Sequence, residues 1–228
     1  MADSSKTEWW ALHQIGWDES FAAQDTLESL DGLICEQRDR LSDLETVNAS
    51  DLDVFSGFRA QEAREHIESL IGVALVMEQT RMGGALRFAA RLTELRGTKY
   101  NSGELLDLGD RTEGGTATVA RSIWELANYF KHRSEWSSWS STEEQVAKTV
   151  RVLRALGCSE SADNNFEIGL GALNLARYTD LLTGAVGQRD IERMPMFAVE
   201  LAVNVWRGQV QDHLRAKFGL KNPLRGDL

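Results

Sequence analysis

Apolar residues recur at intervals of three and four along most of this chain, which is the spacing of one face of an α-helix. The longest such pattern runs from Phe58 to Leu95, and one helix of that length would extend about 55 Å at 1.5 Å per residue. Gly83-Gly84 is where it would kink or divide. Because no stretch alternates Val, Ile or Thr with polar residues, as a strand would, the sequence predicts an all-α protein.

The same spacing predicts about seven helices in a bundle. Besides the long helix near 58–95, we expect a short helix near the N-terminus and helices at about 18–46, 116–130, 142–156, 164–184 and 188–218. Glycines and the Asn101-Ser102-Gly103 turn mark residues 96–116 as a loop. Leu105, Leu106 and Leu108 would hold that loop against the core.

Acidic residues are concentrated at the start of the chain. Residues 1–54 contain thirteen acidic and three basic residues, whereas the other 174 residues contain 22 of each. We therefore divide the chain into an acidic N-terminal helical segment (1–54), a helical-bundle domain (55–220) and a loose C-terminal tail (221–228). The acidic segment is either a solvated helix face, a surface for a basic partner or a cover over a basic groove. Because the chain has a net charge of −10, RNA would have to bind it at a local basic patch.

Composition excludes several classes of protein and site. The longest apolar run, Leu70–Met77, is much shorter than the roughly 20 residues that cross a bilayer, and the N-terminus lacks both parts of a signal peptide. The two cysteines, at positions 35 and 158, make neither a disulfide framework nor a zinc site. There is no Gly-x-x-x-x-Gly-Lys run and no His-Glu-x-x-His. We expect a soluble cytoplasmic protein with no membrane association, no metal and no cofactor.

One stretch, Arg121–Trp136, carries most of the functional evidence. On a helix, Asn128 and His132 share a face, and Lys131 and Arg133 place positive charge at the C-terminal end, where the helix dipole stabilises cations. Histidine exchanges protons near neutral pH, basic neighbours bind phosphate, and asparagine orients an imidazole or a ribose hydroxyl. The candidate catalytic residues are His132 and Asn128. The candidate nucleic-acid-binding residues are Lys131, Arg133, Arg87 and Arg91.

Both groups of residues also have a structural interpretation. Arg87 and Arg91 lie four apart in the basic stretch from Arg81 to Lys99, and surface arginines often lay their stems over apolar side chains. Lysine and arginine at a helix C-terminus are ordinary helix design. An Asn128–His132 hydrogen bond would likewise stabilise the helix without any catalytic role.

Residues 121–136 resemble the motif helix of the HEPN superfamily, the all-α nucleic-acid-binding and ribonuclease domains of bacterial toxin, CRISPR and antiphage systems. In that family an Arg, often followed by a polar residue, precedes a His by four to six residues, and two such helices form an RNA-cleaving groove across a homodimer. Asn128-Tyr129-Phe130-Lys131-His132 matches the part from the polar residue to the His, but the Arg position falls on Ala127. The resemblance implies a homodimer or another protein partner, and Ala127 argues against cleavage.

Three functions remain open from the sequence. The first is a HEPN-like helical protein that acts by binding, without catalysis, as a subunit, immunity factor or regulator in a bacterial defence or toxin–antitoxin system. The second is a metal-independent endoribonuclease that uses His132. The third is a helical scaffold with no nucleic-acid role. We favour the first because residues 1–54 are acidic and position 127 is Ala.

Overall fold

The computed structural model describes residues 4–16, 21–48, 54–112, 117–136, 139–140, 143–156, 158 and 195–221. Within these ranges all regular structure is helical, apart from an isolated antiparallel bridge between Arg111 and Thr118. The α-helices are α1 (Ser4–Gly16), α2 (Phe21–Asn48), α3 (Val54–Leu95), α4 (Ser102–Leu106), α5 (Val119–His132), α6 (Glu144–Ala155) and α7 (Pro195–Phe218). A 3-10 turn, Arg133–Glu135, follows α5 directly. The predicted all-α bundle is confirmed.

The bundle is built on α3, whose 42 residues extend about 63 Å at 1.5 Å per residue. Helices α1, α2, α5 and α7 all pack against it. It begins before the predicted Phe58 and is not divided at Gly83-Gly84. Because Met82 and Ala85, on either side of the glycines, are buried, packing on neighbouring helices holds α3 together across them.

The two N-terminal helices share the hydrophobic core of the bundle. Leu12 and Ile15 of α1 are completely buried, as are Leu27 and Ile34 of α2. These side chains belong to the same cluster as the buried side chains of α3, α5 and α7. The change in charge at residue 54 is therefore not a boundary of the core.

Asp31 joins α2 to the first turn of α7. Its two carboxylate oxygens accept hydrogen bonds from the backbone N–H groups of Met196 at 2.8 Å and Phe197 at 2.9 Å. These groups have no partner within their own helix, and Pro195, which precedes them, has no N–H to satisfy. Burial raises the pKa of Asp31 to about 6, although the two hydrogen bonds act against this shift. A carboxylate on α2 therefore caps the last helix.

The predicted loop at 96–116 contains the short helix α4 and is held to the core. Leu105 and Leu106 are buried, and the indole N–H of Trp206 donates to the Leu105 carbonyl at 2.8 Å. The Thr118 hydroxyl donates to the Leu106 carbonyl at 2.5 Å and accepts the backbone N–H of Arg121, which caps α5. The anchoring role predicted for these leucines is confirmed.

Three sequence predictions lie outside the described residues. They are the helix at 164–184, the start of the last helix at 188–194 and the tail beyond residue 221. Helix α6 lies within the predicted 142–156, and α7 ends at Phe218 as predicted.

Candidate functional site

The candidate site lies on α5, which packs antiparallel to α3. Gln79 of α3 contacts Asn128 of α5, and Glu68, three turns earlier in α3, contacts Arg133 just after the end of α5. The C-terminal end of the candidate motif therefore lies nearer the start of α3.

The position of the missing motif arginine is buried. Ala127 has no exposed surface, and its neighbours Ile123 and Leu126 are also completely buried. The ring of Phe130, one turn after Ala127, packs tightly on α3, because a Cβ added at Gly72 would lie 2.7 Å from one of its carbons. A longer side chain at position 127 would enter the core and would not face a groove.

Asn128, which is half-buried, and Lys131, which is exposed, belong to a polar network between α5 and its neighbouring helices. The Gln79 amide donates to the Asn128 side-chain oxygen at 2.7 Å, and the Gln79 oxygen accepts from the Lys131 ammonium at 2.5 Å. The Asn128 amide donates to the buried Glu125 carboxylate at 3.1 Å, which also accepts from the Thr149 hydroxyl at 2.6 Å. These bonds join α5 to α3 and α6, so the side chains of Asn128 and Lys131 both take part in contacts between helices.

His132 is exposed at the end of α5. Its Nδ1 lies 3.2 Å from the Glu135 carboxylate, and 48 % of its side chain is accessible to solvent. The Asn128 side chain points both of its polar atoms at Gln79 and Glu125 instead. The structure therefore does not bring Asn128 and His132 together as the sequence suggested.

Arg133 is paired within the fold. Its guanidinium forms an ion pair with the buried carboxylate of Glu68 on α3 and lies over the Phe130 ring, 5.5 Å from its centroid. Burial lowers the pKa of Arg133. Releasing this side chain to a phosphate would leave the Glu68 carboxylate buried without its cation, which is costly.

Arg87 and Arg91 lie far from His132. Arg87 is 19 residues beyond Glu68 on the same helix, or about 28 Å along its axis at 1.5 Å per residue. Both side chains are exposed, and Arg91 pairs with Glu94 at 2.7 Å. The structure thus separates the candidate nucleic-acid-binding residues into two groups.

Sequence reasoning missed a buried charge cluster between α3 and α7. Arg81 donates to both oxygens of Glu78, at 2.7 and 2.9 Å, and to the Asn204 side chain at 2.7 Å. The same guanidinium lies 3.5 Å from the buried Glu200 carboxylate. Burial and the charge of Glu200 raise the pKa of Glu78 to about 8, although Arg207 lowers it. The sequence did contain one indication of this cluster, since Glu78 is an acidic residue within the apolar stripe of the long helix.

Helix α2 presents an acidic face to solvent. At 100° per residue its members fall within an arc of about 80°, and both basic residues of α2 lie outside that arc. The members of this acidic face are Asp25, Glu28, Glu36, Asp39 and Asp43, all of them exposed. Arg40, the nearer of the two basic residues, pairs with Glu62 of α3.

An apolar opening of about 260 Å³ lies beside the acidic face, between α2 and α3. Leu33 is 46 % exposed at its edge, and Val73 on α3 is 52 % exposed nearby. The side-chain oxygen of Gln37 is buried without a hydrogen bond from any residue that the structure describes. The opening is lined by Leu33, Gln37, His66, Ser69 and Leu70.

Comparison with known proteins gives no relative. No family model, no curated protein and no solved structure matches the chain. Among the described helices, none combines the length and the apolar character that crossing a bilayer requires. Nor do three or more His, Cys, Asp or Glu side chains in the described ranges converge to hold a metal ion.

Proposed function

We propose that this chain is a HEPN-like helical protein that binds a basic protein partner and has no catalytic activity. The acidic face of α2, with the apolar opening beside it, is the observation that carries this proposal. The resemblance of residues 121–136 to the HEPN motif helix implies the setting: a subunit, immunity factor or regulator in a bacterial defence or toxin–antitoxin system.

The contacts of α5 support binding over cleavage. A phosphodiester site needs cations free to hold the scissile phosphate. Lys131 donates to Gln79, Arg133 is paired with Glu68, and the motif position at Ala127 is buried. His132 keeps an exposed imidazole, and the neighbouring Lys131 has no carboxylate partner among the described residues, although Gln79 holds its ammonium. The ribonuclease alternative therefore rests on His132 and Lys131, without the motif arginine and without Arg133.

The charge of the acidic face indicates the kind of partner. Five exposed carboxylates on one arc attract a basic surface and speed its approach, whereas they repel the phosphates of RNA. A two-fold dimer through this face would place the same carboxylates against each other. The geometry therefore favours a different, basic protein over a second copy of this chain at this surface.

A cleavage assay tests the absence of catalysis. Purified wild-type protein and His132→Ala would be incubated with a mixed single-stranded RNA pool and a metal chelator. We expect no cleavage by either protein. Cleavage by the wild type that disappears in His132→Ala would overturn the proposal in favour of a metal-independent endoribonuclease.

Photo-crosslinking from position 33 tests the binding surface. A photoreactive phenylalanine would replace Leu33 in the organism that produces the protein, with the exposed Val205 of α7 as the control position. We expect position 33 to capture a protein that carries a basic helix, identified by mass spectrometry and purified for binding measurements. Capture of a second copy of this chain, or of no protein, would count against the proposal.

A matched pair of charge variants completes the test with the purified partner. Glu36→Lys, Asp39→Lys and Asp43→Lys together reverse the acidic face. The control combines Glu94→Lys, Glu144→Lys and Asp212→Lys, three exposed acids on other helices, and changes the net charge equally. We expect the first variant to raise the Kd at least tenfold and the control to change it less than threefold. Equal weakening by both variants would show that only net charge matters.

A further inference from the structure

A second cavity, of about 470 Å³, lies against α6 on a different part of the molecule. Its volume falls within the range of small-molecule sites, which is roughly 300–1,000 Å³. One face of α6 forms a wall, and Val150 on that face is buried. The lining residues are Trp139, Ser140, Ala147, Val150, Arg151 and Arg154.

Two arginines give this cavity its charge. Arg151 and Arg154 are one turn apart on the same face of α6, and both are exposed. No carboxylate among the described residues pairs with either of them, although Lys148 on the same helix pairs with Glu144 at 2.7 Å. Arginine binds phosphate and carboxylate groups through two parallel hydrogen bonds, so two guanidiniums at one cavity are suited to an anion.

Trp139 gives the cavity an aromatic wall. The indole is half-buried and packs edge-on against Tyr129 of α5, with 6.2 Å between the ring centroids. That contact holds the indole against the end of the bundle. Aromatic side chains stack on planar rings, and nucleobases are bound in this way by many proteins.

We propose that this cavity binds a small aromatic anion, a planar ring that carries a phosphate or carboxylate group. The ring packs against Trp139, and Arg151 and Arg154 hold the anionic group. This site goes beyond the partner-binding function and involves none of the residues of the α2 surface. Either proposal can therefore fail without the other.

Isothermal titration with four probes tests the site: phenyl phosphate, benzoate, AMP and inorganic phosphate. We expect at least one of the three ring-bearing anions to bind, and inorganic phosphate to bind at least tenfold more weakly. Tighter binding of AMP than of phenyl phosphate would identify the source as a nucleotide, and the reverse a simpler aromatic anion. Absence of binding by all ring-bearing probes, or phosphate binding as tightly as they do, would overturn the proposal.

Two variants with matched controls locate the binding. Arg151→Gln with Arg154→Gln should raise the Kd at least tenfold, while Arg215→Gln with Lys217→Gln removes the same charge from exposed positions of α7 and should change it less than threefold. Trp139→Leu should reduce the affinity of the ring-bearing probes to that of phosphate, and Trp10→Leu, at an exposed indole, should not. Because both arginines are exposed, their variant keeps the fold, which circular dichroism would verify. Equal losses of affinity in a variant and its control would also overturn the proposal.

Discussion

Glu78 lies in the apolar stripe of α3, between Leu75 and Met82, and has no exposed surface. Burial and the charge of Glu200 raise its pKa from the ordinary 4.5 to about 8. A carboxyl group with a raised pKa binds its proton more tightly in the folded state than in the unfolded state. Its contribution to stability is therefore complete below about pH 4.5 and is lost as the pH rises through about 8.

Glu78→Gln tests this pH dependence. Glutamine has the same shape and does not titrate, so the variant should lose the decline in unfolding free energy between pH 5 and pH 8. We expect the decline to shrink by at least about 1 kcal/mol, since one pKa unit corresponds to about 1.4 kcal/mol. Urea unfolding at four pH values measures this decline in the free energy of unfolding. The control is Glu65→Gln, at an exposed position of the same helix. An unchanged slope in Glu78→Gln would contradict the assignment.

Ala127→Arg restores the HEPN motif in the sequence, but the structure predicts that it gives no ribonuclease. The side chain at position 127 is completely buried, so a guanidinium there would lose its water without gaining a partner. We expect the free energy of unfolding to fall by more than about 3 kcal/mol. The control is Ala216→Arg at an exposed position of α7, which should change stability by less than about 0.5 kcal/mol. RNA cleavage by a folded Ala127→Arg protein would contradict this prediction.

The sequence predicted which residues of the candidate site share a helix, but not what they contact. Asn128 and His132 follow from helical spacing alone. The partners of Asn128 and Arg133 are Gln79 and Glu68, which lie about 50 and 65 positions earlier in the chain. Such contacts depend on how α3 and α5 pack, and a local pattern carries no information on that packing.

At the scale of single helices, apolar spacing predicted the long helix, α5 and α6 well, because each has a continuous buried stripe. It missed α4, whose five residues are too few to show a period. That helix is stabilised by contacts from afar, including the bond from Trp206 to Leu105. The glycines at 83 and 84 predicted a kink or a division of the long helix, and the structure shows that the helix is not divided there.

Two glycine variants test the close contact of α3 with α5. A Cβ at Gly72 would lie 2.7 Å from the Phe130 ring, whereas one at Gly32, within α2, would meet nothing within 4 Å. Gly72→Ala should lower the free energy of unfolding by about 1–3 kcal/mol because the helices must separate. Gly32→Ala should raise it by about 0.5–1 kcal/mol because alanine favours the helix.

Urea unfolding of both glycine variants, and of Gly72→Ala combined with Phe130→Leu, provides the measurement. The smaller leucine should recover part of the loss if the clash is with the Phe130 ring. Stabilisation by Gly72→Ala equal to that by Gly32→Ala would show that α3 and α5 are not in close contact.

At the scale of the whole molecule, the described helices α1 and α2 contribute to the same hydrophobic core as α3, α5 and α7. Helices α1 and α2 bury their apolar stripes against α3 and α7, and Asp31 caps α7. Residues 55–228 alone should therefore fail to unfold cooperatively in urea and should bind a hydrophobic dye. Adding residues 1–54 as a separate peptide should restore cooperative unfolding. A cooperative transition of the truncated protein by itself would contradict this prediction.

The bond from Asp31 to Met196 has a consequence for synthesis on the ribosome. The two residues are 165 positions apart. At about 5–20 residues per second, translation takes about 10–30 s to cover that interval. Arg207 of α7 donates to the Ile15 carbonyl at 2.9 Å, across 192 positions. The interval between the synthesis of α1 and the formation of this contact is therefore longer still. Helices α1 and α2 are thus made long before their contacts are complete, and the nascent chain keeps part of their apolar surface open until α7 has been made.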